Sequence, residues 1–127
     1  MLLVTAFSQA HAEVVDIDNA TLQTLLDEGI PIIDVRRSDE WTETGVIENS
    51  NLLTFFDAQG GYDAEYWEQG LNAFATSDKP VILICRSGGR SSTISQWLSK
   101  KMGYAKVYNV AEGILSWKSQ GGAVVSP

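Results

Sequence analysis

VILICRSGGRSS, residues 81–92, is the stretch on which the reading of this chain turns. Five consecutive apolar residues lie between Pro80 and a loop of glycine, serine and arginine, and they read as a strand covered on both faces. The following segment, STISQWLSKKMG (92–103), places Ile94, Trp97, Leu98 and Met102 on one helical face. Lys100 and Lys101 fall in its last turn and Gly103 at its stop. Strand, polar loop and helix in that order form the unit from which α/β sheets are built.

The same alternation continues in both directions. EVVDID (13–18) reads as a first strand and NATLQTLLDEG (19–29) as a helix, with Asp18 or Asn19 as cap, Leu22, Leu25 and Leu26 on one face, and Gly29 at the end. IPIIDV (30–35) is a second, nearly continuous apolar strand, and SDEW (38–41) opens a helix or turn capped by Ser38 or Asp39. A further short strand is expected within IENSNLLTF (47–55). DAEYWEQGLNAFAT (63–76) has a helical pattern in Tyr66, Trp67, Leu71 and Phe74. AKVYNV (105–110) is the last strand, followed by the loop AEG (111–113) and the helix ILSWKSQ (114–120). Strands alternating with helices predict a mostly parallel α/β sheet.

A chain of 127 residues is the size of one domain and can bury a core without disulfide or metal staples. A net charge of −7 argues against a nucleic-acid footprint and against anionic lipid. One cysteine forbids an internal disulfide, and one histidine, His11, leaves no nitrogen–sulfur cluster with zinc-ligand spacing. No metal or cofactor is expected. The opening MLLVTAFSQAHA combines an apolar stretch with an A-H-A pattern before Glu13, like the end of a secretory signal cleaved after Ala12. It lacks an early Lys or Arg and is shorter than the usual ~15–30 residues, so an extra N-terminal segment is the other reading. The expected division is therefore residues 1–12 as leader or extra segment and 13–127 as the domain. The expected location is the periplasm, or the cytoplasm if residues 1–12 are not a signal. The stretch is too short for a membrane span, which takes about 20 apolar residues.

In open parallel sheets ligands bind where loops leave the carboxyl ends of the strands. Three such loops are RRSDE (36–40), RSGGRSS (86–92) and AEG, and the first two hold all four arginines, Arg36, Arg37, Arg86 and Arg90. Arg36 and Arg37 also have Asp34, Asp39 and Glu40 beside them, so simple ion pairing is an alternative to a functional role.

Cys85 is the candidate nucleophile. A free thiol, with a pKa of about 8.5, attacks as thiolate, so its surroundings must stabilise negative charge on sulfur. Backbone N–H groups of a strand-to-helix loop can curl into an anion nest, aided by the positive end of the helix. Gly88 and Gly89 permit the positive φ angles such a curl requires. Ser87, Ser91 and Ser92 can donate hydrogen bonds, or Ser91 and Ser92 can simply cap the helix. Arg86 and Arg90 can bind a tetrahedral oxyanion through paired donors. The four tryptophans, Trp41, Trp67, Trp97 and Trp117, read as packing residues.

Four residues separate Cys85 from Arg90. The corresponding loop of cysteine phosphatases is one residue longer, wide enough for a phosphate, whereas the shorter loop suits a single transferred sulfur. The chain resembles the single-domain rhodaneses (sulfurtransferases). The likeness rests on DVR (34–36), Glu40-Trp41, Gly45 with Ile47, CRSGGRS (85–91) and EGILSW (112–117) followed by Gly121. It implies an open five-stranded parallel sheet with helices on both faces and a Cys85 that cycles through a persulfide. The implied donor is thiosulfate, held by Arg86, Ser87, Gly88, Gly89, Arg90 and Ser91, and the acceptor is cyanide or a thiol. Asp34, Arg36 and Glu40 are implied as structural support. An exported member would be similar to the periplasmic phage-shock-type sulfurtransferases, and a monomer is expected. Two other classes stay open: a persulfide carrier or binding module of the same fold inactive on thiosulfate, and a small cysteine phosphatase or arsenate reductase. The chain departs from the pattern where many relatives read GHIPGA, having GVIENS (45–50), and where Glu112 replaces a frequent glycine.

Overall fold

β4 (Val81–Ile84) lies at the middle of the molecule because it alternates between two apolar layers. Val81, Leu83 and Cys85 pack into one core cluster with Trp67, Leu71, Ile94 and Leu98, while Ile82 and Ile84 pack into a second with Leu22, Leu25, Ile114 and Trp117. Each large apolar side chain taken out of water there contributes about 1.5–3 kcal/mol, so slipping the strand by one residue would invert both layers. The structure is a computed structural model that describes residues 12–127. Apart from Ala12, the leader read over residues 1–12 lies outside the described residues, as does His11.

Around β4 the chain runs β1 (Glu13–Ile17), α1 (Asn19–Asp27), β2 (Ile32–Asp34), α2 (Ser38–Thr44), β3 (Asn51–Leu52) and α3 (Ala64–Leu71). After β4 come α4 (Gly89–Met102), β5 (Lys106–Val110) and α5 (Gly113–Ser119). The five strands form one open parallel sheet in the order β1-β5-β4-β2-β3. α1 and α5 supply the apolar layer on one face, α3 and α4 the layer on the other. After β2 the chain moves outward to β3, and after β4 it moves the opposite way to β5, so the order reverses between these two adjacent strands. Loops leaving their carboxyl ends therefore diverge and leave the crevice in which α/β sheets bind ligands. Cys85 stands at that point.

Several local expectations are corrected. α2 starts at Ser38, so Arg37 holds the N-cap position, not Ser38 or Asp39. α3 ends at Leu71, which leaves Phe74 in a turn, 43% exposed, and Tyr66 on the outer face, 75% exposed; Trp67 and Leu71 alone carry the helix's buried stripe. α4 starts at Gly89, earlier than expected, and encloses Ser91 and Ser92 instead of being capped by them. The cap at Asp18 holds, its side chain accepting from the Thr21 backbone at 2.8 Å. Trp67 and Trp117 are buried, with their Nε1 groups donating to the carbonyls of Leu53 and Ala123 at 2.9 Å.

Asn49, in the departure GVIENS, is the one non-glycine residue with positive φ (68°) among those described. It stands where GHIPGA has its second glycine, and asparagine tolerates that left-handed conformation better than other side chains. The changed sequence thus keeps the turn. At Glu112 φ is −113°, so the glycine frequent there is not required by the backbone.

Candidate active site

The loop after β4 wraps its backbone around the Cys85 sulfur. Gly88 takes φ +99°, which turns its N–H back toward Sγ at 3.2 Å, and the Ser91 N–H at the start of α4 reaches Sγ at 3.4 Å. Both are donors aimed at sulfur and are better matched to an anion than to a neutral thiol. Cys85 is buried, 1% exposed, and forms the floor of the loop. Gly89, by contrast, has no positive φ, and a side chain there would meet nothing within 4 Å; of the expected glycine pair, Gly88 alone makes the curl.

The loop from β5 to α5 holds this geometry from the other side. A Cβ on Gly88 would lie 1.9 Å from the Ala111 carbonyl oxygen, and one on Gly113, at φ +68°, would lie 2.3 Å from that of Arg86. The first amides of α5 also bind the cysteine loop, Ile114 N donating to Cys85 O at 2.9 Å and Leu115 N to Arg86 O at 3.2 Å. Only glycine permits such close approach of backbones.

The four arginines separate into distinct roles. Arg36 is fully buried, and its guanidinium binds the Asp34 carboxylate at 2.8–3.2 Å, Thr44 Oγ1 at 2.7 Å and Gly45 O at 3.1 Å, tying α2 to the end of β2. Arg37 pairs with Asp39 at 3.1 Å and Glu40 at 3.4 Å. Arg90 directs both ends of its fork at Glu40, at 2.7 and 2.6 Å. Glu40's hydrogen bonds raise the Arg90 pKa above its ordinary value against the opposing effect of burial, with a smaller contribution from negative charge on Cys85. Arg86 is exposed at the rim and is the one arginine without an ion pair among the described residues. Ser87 is exposed beside it.

Asp34, Arg36 and Glu40 thus serve as scaffold. Gly88 and Ser91 come together at the Cys85 sulfur, Arg86 follows Cys85 in the chain and is exposed, and Arg90 has one N–H of each terminal nitrogen engaged by Glu40.

Residues 18–120 match the model of the rhodanese-like domain. The chain belongs to that family. A protein of Arabidopsis thaliana named thiosulfate sulfurtransferase 18 is 32% identical over 109 residues, covering 83% of this chain and 79% of that protein. A sulfurtransferase of Allochromatium vinosum is 38% identical over a shorter span, 39% of this chain and 46% of the relative. Among solved structures, the crystal structure of Rv0390 from M. tuberculosis superposes with a TM-score of 0.73 at 21% identity, covering 91% of this chain and 98% of the other. The polysulfide-sulfur transferase homodimer of Wolinella succinogenes gives 0.68 at 22%, over 91% and 81%. These structures share the rhodanese fold, an open five-stranded parallel sheet covered by helices.

Asn109 and its partner Asp16 escape sequence reading. Asn109, 2% exposed in β5, accepts from the Ser91 hydroxyl at 2.6 Å, and its Nδ2 donates to Asp16 Oδ1 of β1 at 2.9 Å. The signal for Asn109 was an amide between Tyr108 and Val110 near the end of a strand, where a buried amide must find partners. Ser91 is fully buried and bridges Asn109 and Cys85.

Proposed function

We propose that the protein is a thiosulfate sulfurtransferase that carries sulfur as a Cys85 persulfide to cyanide or a thiol. The observation that carries this reading is the pair of backbone N–H groups on the Cys85 sulfur at 3.2 and 3.4 Å, next in the chain to Arg86, which is exposed and has no ion pair among the described residues. The amides hold negative charge on sulfur, and Arg86 meets the oxygens of an anionic donor. The thiolate attacks the outer sulfur of thiosulfate, the bond between the two donor sulfurs breaks, and sulfite leaves with the electron pair. Cyanide or a thiolate then takes the terminal sulfur of the persulfide, and the Cys85 thiolate is restored. Charge balances at each step without a redox partner.

Release of thiocyanate from thiosulfate and cyanide tests the proposal: turnover that disappears in Cys85→Ser supports it, and turnover unchanged in that variant refutes it. One feature favours a second reading. Because Arg90 is paired with Glu40, its charge is already partly neutralised before a doubly charged oxyanion arrives, which suits a singly charged donor such as a thiol persulfide. Higher kcat/KM with such donors than with thiosulfate would select it. Periplasmic action, similar to the phage-shock-type enzymes, is part of the proposal and rests on the residues before Glu13, and action as a monomer is proposed with it. Cell fractionation and sizing of the mature chain test it.

A further inference from the structure

Ser91 Oγ carries one proton and has three acceptors within reach: Asn109 Oδ1 at 2.6 Å, Cys85 Sγ at 3.2 Å and Gly88 O at 3.3 Å. It can donate to one of them at a time. The orientation of the Asn109 amide decides the competition, and Asp16 sets that orientation. Asp16 is the register partner of Asn109 across β1 and β5, and its carboxylate, which only accepts, draws Nδ2 at 2.9 Å. Oδ1 is left facing Ser91, and the short 2.6 Å contact assigns it the hydroxyl proton. The hydroxyl then presents lone pairs to the sulfur. That suits a neutral thiol, whose S–H can donate to them, and opposes a thiolate.

We infer that Asn109, held by Asp16, competes with the Cys85 sulfur for the Ser91 hydroxyl proton and so makes this hydroxyl a two-position switch. It points to Asn109 while Sγ is neutral and to the sulfur while Sγ is anionic. Turning to the sulfur leaves the buried Asn109 oxygen without its donor, so Asn109 opposes formation of the thiolate. In the persulfide Sγ is neutral again, the charge being on the outer sulfur, and the proton returns to Asn109. Given the sulfurtransferase reading, on which this consequence rests, Asn109 acts as a positioning residue that favours the loaded enzyme over the free thiolate.

The pH profile of Cys85 alkylation by iodoacetamide tests the switch without any sulfur donor. The charged groups around the sulfur are Arg86 and Arg90 of its loop, Glu40 of α2 on Arg90, Asp34 and Arg36 at the end of β2, Asp16 of β1 behind Asn109, and Glu112 before α5. Asn109→Leu alters none of them. It removes the competing oxygen, frees the hydroxyl for the sulfur, and is expected to raise the alkylation rate below the plateau by about tenfold, as for one hydrogen bond to a charged group. In Ser91→Ala the same substitution should change nothing. Asn109→Ala gives a second variant at the buried position, and Asp16→Ala, at an exposed position of an edge strand, gives a third that releases the amide and should act in the same direction. In the Asn109→Leu background Asp16→Ala should add no more than the small, salt-screened effect of removing one exposed charge. A profile unmoved or moved upward in pH by Asn109 substitution overturns the inference, and so does an equal effect without the Ser91 hydroxyl. Failure of sulfur transfer with the alkylation shift intact would overturn the functional reading alone.

Discussion

Glu40→Gln probes the clamp that fixes Arg90 beside Cys85's loop. Glu40 accepts both ends of the Arg90 fork at 2.7 and 2.6 Å; its side chain is 9% exposed and that of Arg90 28%. Glutamine preserves the shape but accepts one bond and sets an amide N–H₂ against the other guanidinium donor. A hydrogen bond to a charged group contributes roughly 1.5–3 kcal/mol. Breaking a fully buried ion pair costs roughly 3–5 kcal/mol. The water reaching Arg90 discounts that larger figure, so the loss should be about 2 kcal/mol. With an unfolding entropy of about 2.1 cal/mol/K per residue, a domain of this length should melt roughly 8 °C lower. The pH dependence gives the sign. Arg90's hydrogen bonds lower the Glu40 pKa below its ordinary value against the desolvation that opposes them. The clamp's contribution is therefore complete above the unfolded glutamate value of about 4.3 and is lost as pH falls through the lower folded value. Thermal melts followed by circular dichroism should show the full gap between wild type and variant near neutral pH and a closing gap in acid. No gap at neutral pH, or one that persists undiminished in strong acid, would refute the reasoning.

Cys85→Ser should abolish sulfur transfer and leave the melting temperature within about 2 °C, since the change is nearly isosteric; residual turnover near wild type would contradict it. Arg86→Ala should raise the KM for thiosulfate about tenfold or more with a smaller effect on kcat, in steady-state assays; an unchanged KM would mean that Arg86 does not meet the donor. Gly113→Ala should destabilise by about 3 kcal/mol or more, since its Cβ would lie 2.3 Å from the Arg86 carbonyl oxygen at a positive φ. Gly89→Ala should be nearly neutral, its Cβ position being open. Denaturant titration of the pair reads the contrast, and equal effects would contradict the backbone account.

The sheet was legible because its central strands are apolar runs buried on both faces, of which VILIC is the strongest, and because the helices between them carry their own apolar stripes. Helix limits were less so: the Tyr66 and Phe74 spacing resembled a buried stripe, but the helix stops at Leu71 and Tyr66 faces solvent. In the site, Cys85, Gly88 and Arg86 could be read from the loop's own residues, and the scaffold trio Asp34, Arg36 and Glu40 from the resemblance to the rhodaneses. The engagement of Arg90 with Glu40 could not be read from spacing within the loop, because its partners are 50 residues apart. Nor could the chain of Asp16, Asn109 and Ser91, which depends on the register of β1 against β5 and on the depth of α4's first turn. Tertiary register creates such contacts, and no short window of sequence contains them.

Mass spectrometry of the Cys85 peptide after incubation of the intact protein with thiosulfate tests the central claim most directly. The account predicts a gain of one sulfur atom on that peptide, reversed by cyanide. A folded protein whose Cys85 remains alkylatable yet never gains the sulfur, from thiosulfate or from a polysulfide, would contradict it.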